Sequence, residues 1–322
     1  VSGRVVADSW YADGARGWTR LEDVVPARWR SLVARASWAR GLALALAARR
    51  SAVVVTTNPS PGASVAIALL GLLGLRRLVL LEYIVHPPPW RRPVHRLHFV
   101  LLRQVLLRRC LLWAQVLSRA EVDAYAAAHG LPVDRFRFVP WPGRFDDAPV
   151  AAVGTGRRVL ASGRRTDWTT FFAAAEGADW DVHVVCSGAD LSEVERLGAG
   201  GGAVVRHDVS ANEHQREVAA ATVYVVPLPE TGASIGQIRI MNAAQAGVPV
   251  VASAVLGLAD YVDDDCAVLV PPGNARALRA AVDALLDDPA RRQRLRDTAR
   301  RRGTTMQRYR DELVELVAAG PA

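Results

Sequence analysis

From Arg158 onward the chain alternates short, β-branched runs with helix-length segments. Arg158–Ser162, Asp181–Cys186, Ala203–His207, Val223–Pro227, Val248–Ala252 and Ala267–Val270 read as strands. Between them, Trp168–Glu176, Leu191–Leu197, Ala211–Ala220, Gly236–Gln245 and Leu258–Val262 read as helices. Ala275–Asp287 follows as a helix, and Pro289 opens another. Strands separated by a helical crossover return parallel to one another. Several of the runs, such as Val223–Pro227, lack a polar alternate face, which marks strands covered by helices on both sides. This pattern predicts a doubly wound α/β sheet.

The first half carries the same alternation less regularly. Val5–Ala7, Ser51–Thr57, Leu78–Val85 and Phe136–Val139 read as strands, and Asp8 to Trp18 as a polar loop. Arg28–Arg49 reads as one or two amphipathic helices, and Ala63–Leu75 as a helix apolar nearly all round, hence buried. Leu97–Leu117 is expected to be one very apolar helix with Arg103, Arg108 and Arg109 along it. Ser118–His129 has the spacing of a capped helix: Ser118 at the N-cap, Glu121 three residues on, Gly130 as the stop. Pro140–Pro149 reads as a linker, so residues 1–145 and 146–305 are expected to be two Rossmann-like domains facing a cleft. Ligands of such sheets bind beyond the carboxyl ends of the strands.

Charge divides the chain at the same place. All 40 basic residues are arginine, a bias suggestive of GC-rich coding. Residues 1–145 hold 21 Arg against 8 Asp/Glu, whereas residues 146–322 hold 19 against 24. Arg76–Arg119 is densest, with nine Arg and only Glu82 in opposition. Such a half suits nucleic acid, an anionic membrane or an anionic substrate. No nucleic-acid motif is present, which excludes the first. The Leu97–Leu117 helix could lie in a membrane interface with its arginines at headgroup level, or be a core helix with one solvated stripe. Cys110, Cys186 and Cys266 are too scattered for a disulfide scaffold or a zinc site. No apolar stretch reaches the roughly 18 residues of a membrane span, and the polar N-terminus does not resemble a signal peptide. A cytoplasmic location follows, with peripheral attachment at the inner face of the membrane left open.

Two strand-end loops could bind an anion: Gly163-Arg164-Arg165, and Pro229 to Gly236 (PETGASIG). Small residues before a helix let the backbone approach a phosphate and aim free N–H groups at it. An arginine opposite adds charge-assisted hydrogen bonds. The loop lacks GxxxxGK, and no GxGxxG follows the first strand, so neither a P-loop nor a dinucleotide site is expected. Asp263–Asp265 reads as a solvated turn rather than a metal site.

At Val223–Asn274 (VYVVPLPETGASIGQIRIMNAAQAGVPVVASAVLGLADYVDDDCAVLVPPGN) the chain resembles the donor-binding domain of family 4 glycosyltransferases, of the GT-B fold. The carrying elements are Glu230, Gly236, Ala244-Gln245-Ala246-Gly247, Pro249–Ser253, Gly257 and Leu269–Gly273. Val159–Arg164 (VLASGR), Phe136–Trp141 and Ala275–Arg292 are similar to further elements of that family. The likeness spans Ser118 to Arg300.

The resemblance implies a glycosyltransferase moving a sugar from a nucleotide-sugar donor to an acceptor hydroxyl, with retention and without a metal or resident cofactor. His86 and Glu230 are the implied catalytic pair, orienting donor hydroxyls. Gly163, Arg164, Arg165 and the N–H groups over Gly232, Ala233, Ser234, Ile235, Gly236 and Gln237 are implied at the diphosphate. Ser187, Gly188, His207 and Asp208 are implied beside the base, and Asn242 at the ribose. A UDP-sugar is favoured over a GDP- or TDP-sugar. The first domain would bind a small-molecule or lipid-linked acceptor, which Trp10, Trp18 and Trp90 could stack upon. Residues 306–322 would form a helix packing back on it. His95, His98, His129 and Trp141 are assigned to packing or surface.

The sequence departs from the family at three points. The second of its paired glutamates is replaced by Asn242, eight residues after Ser234 rather than after an acid. Its phosphate-binding lysine has no counterpart, which makes Arg165 the candidate. Its N-terminal glycine-rich loop is reduced to Ala7-Asp8-Ser9-Trp10 or lost. Two rivals therefore stay open: a degenerate GT-B protein serving as a partner or membrane-surface module, and a nucleotide-sugar epimerase.

Overall fold

The structure, a computed structural model, describes residues 4–8, 12–57, 61–84, 100–143, 156–231 and 233–320. It comprises two compact units: Val1–Pro140 with Gln307–Ala322, and Trp141–Met306.

The first unit is built on β1 (Val5–Asp8), β2 (Trp18–Arg20), β3 (Val53–Thr57), β4 (Leu78–Leu81), β5 (Leu111–Val116) and β6 (Phe136–Phe138). Their order is β2-β1-β3-β4-β5-β6, and every pair is parallel. Trp18, expected to close a loop, instead opens the edge strand β2. Val6 pairs with Val54, Val54 with Leu78, Leu80 with Ala114, and Ala114 with Phe136. These residues share one face and form a single core with Leu44, Ile67, Leu70 and Leu107 from the helices. The helix Met306–Ala319 joins the same unit through Tyr309, whose hydroxyl donates to Gln115 Oε1 at 2.9 Å. Gln115 is fully buried on β5, yet it also accepts from Glu82 N and donates to Val139 O. A buried amide so satisfied fixes the strand against its neighbours.

The expected helix Leu97–Leu117 is not one helix. Residues 97–99 lie outside the described residues. Val100–Leu106 is a π-helical stretch, Leu107–Cys110 one α-turn, and Leu111–Val116 is the buried strand β5. A short apolar run buried on both faces has no periodicity to separate strand from core helix. Pairing with β4 and β6 decides the matter here. The membrane-lying reading of that segment therefore fails for its second half.

The capped helix is present as Arg119–His129, with the Ser118–Glu121 capping box and Gly130 at φ +58°. Glu121 accepts from the N–H groups of Leu117 and Ser118 and from the Tyr125 hydroxyl, all at 3.0–3.1 Å. Glu121→Ala would strand those buried donors. We expect a loss of about 2–3 kcal/mol in a denaturant titration.

The second unit holds β7 (Arg158–Ser162), β8 (Asp181–Cys186), β9 (Val204–His207), β10 (Val223–Val226), β11 (Val250–Ser253) and β12 (Val268–Val270). Their order is β12-β11-β10-β7-β8-β9, again wholly parallel. Alternate residues feed two cores. Val159, Ala161, Val223 and Val225 pack with Phe171, Leu278 and Val282. Leu160, Tyr224 and Val226 pack with Val218, Ile240 and Ala243. Helices thus cover both faces, and the chain reverses direction across the sheet between β7 and β10. The expected helix at Leu258–Val262 is a single 3-10 turn, Leu256–Leu258.

Candidate active site

A doubly wound parallel sheet opens a crevice where its winding reverses, because the loops after the two central strands diverge there. In the second unit these are the loops after β7 and β10, Gly163–Arg165 and Leu228–Gly236. Gly163 adopts φ +97°, and a Cβ there would lie 2.9 Å from Arg239 Cδ, so only glycine fits the turn. Arg165 also sits in the left-handed region, at φ +58°.

Beneath this turn lies Arg239, in the first turn of the helix Gln237–Ala246. Its guanidinium donates to Ser162 O at 2.6 Å, Thr166 Oγ1 at 2.9 Å and Arg164 O at 3.3 Å. All its acceptors are neutral; among the described residues it has no carboxylate partner. Burial lowers its pKa, the cost of a cation held away from water. Ser162 Oγ in turn contacts His214 Nε2 at 2.7 Å and Tyr224 Oη at 2.6 Å. Burial, then Arg239, lowers the His214 pKa. A fixed polar network therefore sets the end of β7 and the loop that follows.

Gly163, Arg164, Ser187, Asp208 and Asn242 line one cleft of about 370 Å³ with Arg239 and His214. Arg164 is exposed at its rim. Asp208, at φ +49°, accepts from Gly188 N at 2.9 Å and lies 3.4 Å from His207 Nδ1. The Gly188 amide, then His207, with a smaller contribution from Arg164, holds its carboxyl below the usual range. Ser187 donates to Asp190 Oδ2 at 2.8 Å. Asn242 is buried, and its carbonyl accepts from Gln215 Nε2.

The loop after β10 presents a second group of expected residues. Glu230 is exposed; its carboxylate accepts from Thr231 N and from Leu256 N, both at 3.1 Å. This ties the loop to the 3-10 turn. Ala233, Ser234, Ile235 and Gln237 are buried, and Gly236, at φ +88°, is the N-cap of the Gln237–Ala246 helix. Gln237 Oε1 has no partner among the described residues. A Cβ on Gly257 would lie 2.7 Å from Ala233 O and 2.8 Å from Ser234 Cα. We expect Gly257→Ala to displace this loop and cost about 1–3 kcal/mol, read as a lowered Tm.

His86 and Gly232 lie outside the described residues, as do Trp10, Trp90, His95 and His98. His129 and Trp141 are buried packing residues. Asp263 and Asp265 pair with Arg302 on the surface. Arg239, Thr166, His214 and Tyr224 were not singled out from sequence. The one available signal was an arginine inside an otherwise uncharged helix (QIRIMNAAQA).

Two parallel six-stranded sheets with flanking helices form the GT-B fold of glycosyltransferases. Residues 168–288, within the second unit, match the family model "Glycosyl transferases group 1". The resemblance read from its motifs is thereby borne out. No curated protein matches the sequence. Among solved structures, Anabaena Alr3699/HepE in complex with UDP is 13% identical, covers 98% of this chain and 99% of its own, and has a TM-score of 0.70. A glycosyltransferase from Rickettsia africae ESF-5 is 12% identical, with coverage of 87% and 80% and a TM-score of 0.63. Sucrose-phosphate synthase (tll1590) from Thermosynechococcus elongatus is 18% identical, with coverage of 87% and 77% and a TM-score of 0.61. None of the described helices is long and apolar enough to cross a membrane.

Proposed function

We propose that this chain transfers a sugar from a nucleoside diphosphate sugar to an acceptor hydroxyl, with retention and without a metal. The observation that carries the proposal is Arg239: a buried guanidinium lacking a carboxylate partner among the described residues, beside Arg164 at the switch point of the sheet. An uncompensated buried cation is costly, and an anionic ligand would offset that cost. A diphosphate has the charge to do so. Four of the similar structures contain UDP or UDP-glucose, three of Anabaena Alr3699/HepE and one of S. aureus TarM, which makes UDP-glucose the first donor to test.

In the proposed reaction the bond from the sugar's anomeric carbon to the diphosphate oxygen breaks, and the electron pair leaves with the diphosphate. Arg164, Arg239 and the N–H groups at the start of the Gln237–Ala246 helix stabilise that charge, the part a divalent cation plays elsewhere. Arg165, the next residue along the loop, is a further cation. The acceptor oxygen bonds to the anomeric carbon on the departing face, and its proton passes to the leaving diphosphate. His86 and Glu230 orient donor hydroxyls. The base lies against Ser187–Gly188 and His207–Asp208, and Asn242 takes the ribose. The first unit takes the acceptor, a small molecule or a lipid-linked one.

The test is proton NMR of the sugar product formed from UDP-glucose in EDTA. We expect an α-configured product, and a drop of about 10²–10³ in kcat/KM on Arg164→Ala. A β-configured product, or turnover only with added metal, would overturn retention or metal independence respectively.

A further inference from the structure

The helical layer of the first unit is apolar on its outer side, where a solvated layer would be polar. Trp38, Leu42 and Leu46 recur every four residues along the helix Ser37–Ala48 and are 57%, 41% and 54% exposed. Their neighbours Ala39, Leu44, Ala45 and Ala48 face the core. This helix nearly touches Pro61–Leu73: a Cβ on Gly41 would lie 2.5 Å from Val65 Cβ. Pro61–Leu73 meets the Val100–Leu106 stretch as closely, since a Cβ on Gly71 would lie 2.6 Å from Leu106 O. The three form one continuous layer, and the second and third expose Leu72, Leu73, Leu101 and Val105. Isolated exposed leucines are ordinary, but a contiguous set of this size marks an interaction surface.

The charge around the patch names its partner. Between Asp23 and Glu121 the sequence has 15 Arg and one acid, Glu82. None of the three segments carries an acidic side chain. Each leads into a strand of the same parallel sheet, so their C-terminal ends lie along one edge. Arg49, Arg50, Arg76 and Arg109 are exposed there, and the Cβ site of Gly74 lies 3.5 Å from Arg109 Nη2. A second copy of the chain would bring these arginines face to face with no acid to pair them. Tryptophan and leucine beside unopposed arginine instead match an anionic lipid surface, with rings at the headgroups and guanidinium groups on phosphate.

We infer that the outer side of this layer, centred on Trp38, Leu42 and Leu46, docks the protein on an anionic bilayer. The site is centred on the helix Ser37–Ala48 and shares with the Leu97–Leu117 segment expected from sequence only Leu101, Val105 and Arg109; the second half of that segment is a core strand. The inference concerns binding alone and stands or falls apart from sugar transfer.

The full chain should be sedimented with vesicles of phosphatidylcholine, and with vesicles in which about a third of the lipid is phosphatidylglycerol. We expect at least about tenfold stronger partition onto the anionic vesicles, weakening as salt screens the arginines. Leu42→Asp with Leu46→Asp should reduce it to the phosphatidylcholine level at an unchanged Tm. Arg49→Gln with Arg50→Gln should leave the stripe intact but flatten the salt dependence. Equal partition onto both vesicles, or parental binding by the aspartate variant, would overturn the inference. So would a dimer in light scattering that the aspartate variant dissolves, because a second copy would then own the face.

Discussion

Arg239→Met should weaken nucleoside diphosphate binding by at least roughly 10–100-fold while leaving the second unit folded. Methionine preserves most of the volume under the Gly163 turn, so the cost of a cavity is small. The substitution removes three hydrogen bonds to neutral acceptors, and it also removes the desolvation cost of a buried cation. These oppose each other, so the Tm without ligand should move little. Binding has no such compensation. A charge-assisted contact to phosphate in a partly dry cleft is worth about 1.5–3 kcal/mol, or roughly 10–100-fold in affinity. Slackening of the Arg164 loop adds to this, because Arg239 Nη2 holds the Arg164 carbonyl. The check is calorimetric titration with UDP. Affinity within twofold of the parent would show that Arg239 merely braces the fold.

Acid should weaken the first unit from about pH 6.5 downward, well above the range in which carboxylates protonate. His129 is fully inaccessible to solvent, accepts or donates at Tyr83 Oη over 2.9 Å, and stacks on Phe136. Burial, then the nearby Arg103 charge, depresses its pKa to about 4. Between pH 6.5 and 4 the unfolded chain binds a proton that the folded one refuses, so stability falls as pH falls. The full difference is about 3 kcal/mol at one pKa unit per 1.36 kcal/mol. His214, also depressed, adds a slope of the same sign in the second unit. His129→Phe keeps the stacking and removes the titration. Its denaturation midpoint, followed from pH 7 to 4, should fall less steeply than the parent's. An identical slope would place the acid sensitivity elsewhere.

The strands were legible wherever composition and punctuation agreed. Asp181–Cys186 and Arg158–Ser162 carry β-branched runs between turn residues, and the structure has both at the expected bounds. The Ser118–Glu121 capping box was likewise fully local. Leu111–Val116 was not legible, because an apolar run buried on both faces looks alike as strand or helix until its partners are known. Arg239 illustrates the other limit. A lone arginine in a helix ordinarily faces water, and only the fold brings Gly163 and Ser162 over it. The glycine and Arg164 of the first loop could be read from sequence, whereas the buried cation behind them arises from tertiary packing.

The central claim is that the cleft at the β7/β10 reversal binds a nucleoside diphosphate through its own cations. The most direct measurement is a thermal-shift panel of UDP, GDP, ADP and TDP, each with and without EDTA. A ligand at 100 times its Kd stabilises by about 2.7 kcal/mol, which raises Tm by a few degrees. UDP should do so equally with EDTA present, and at the same concentration should stabilise Arg239→Met by at most about half as much. No shift with any of the four nucleotides, or one that EDTA abolishes, would contradict it.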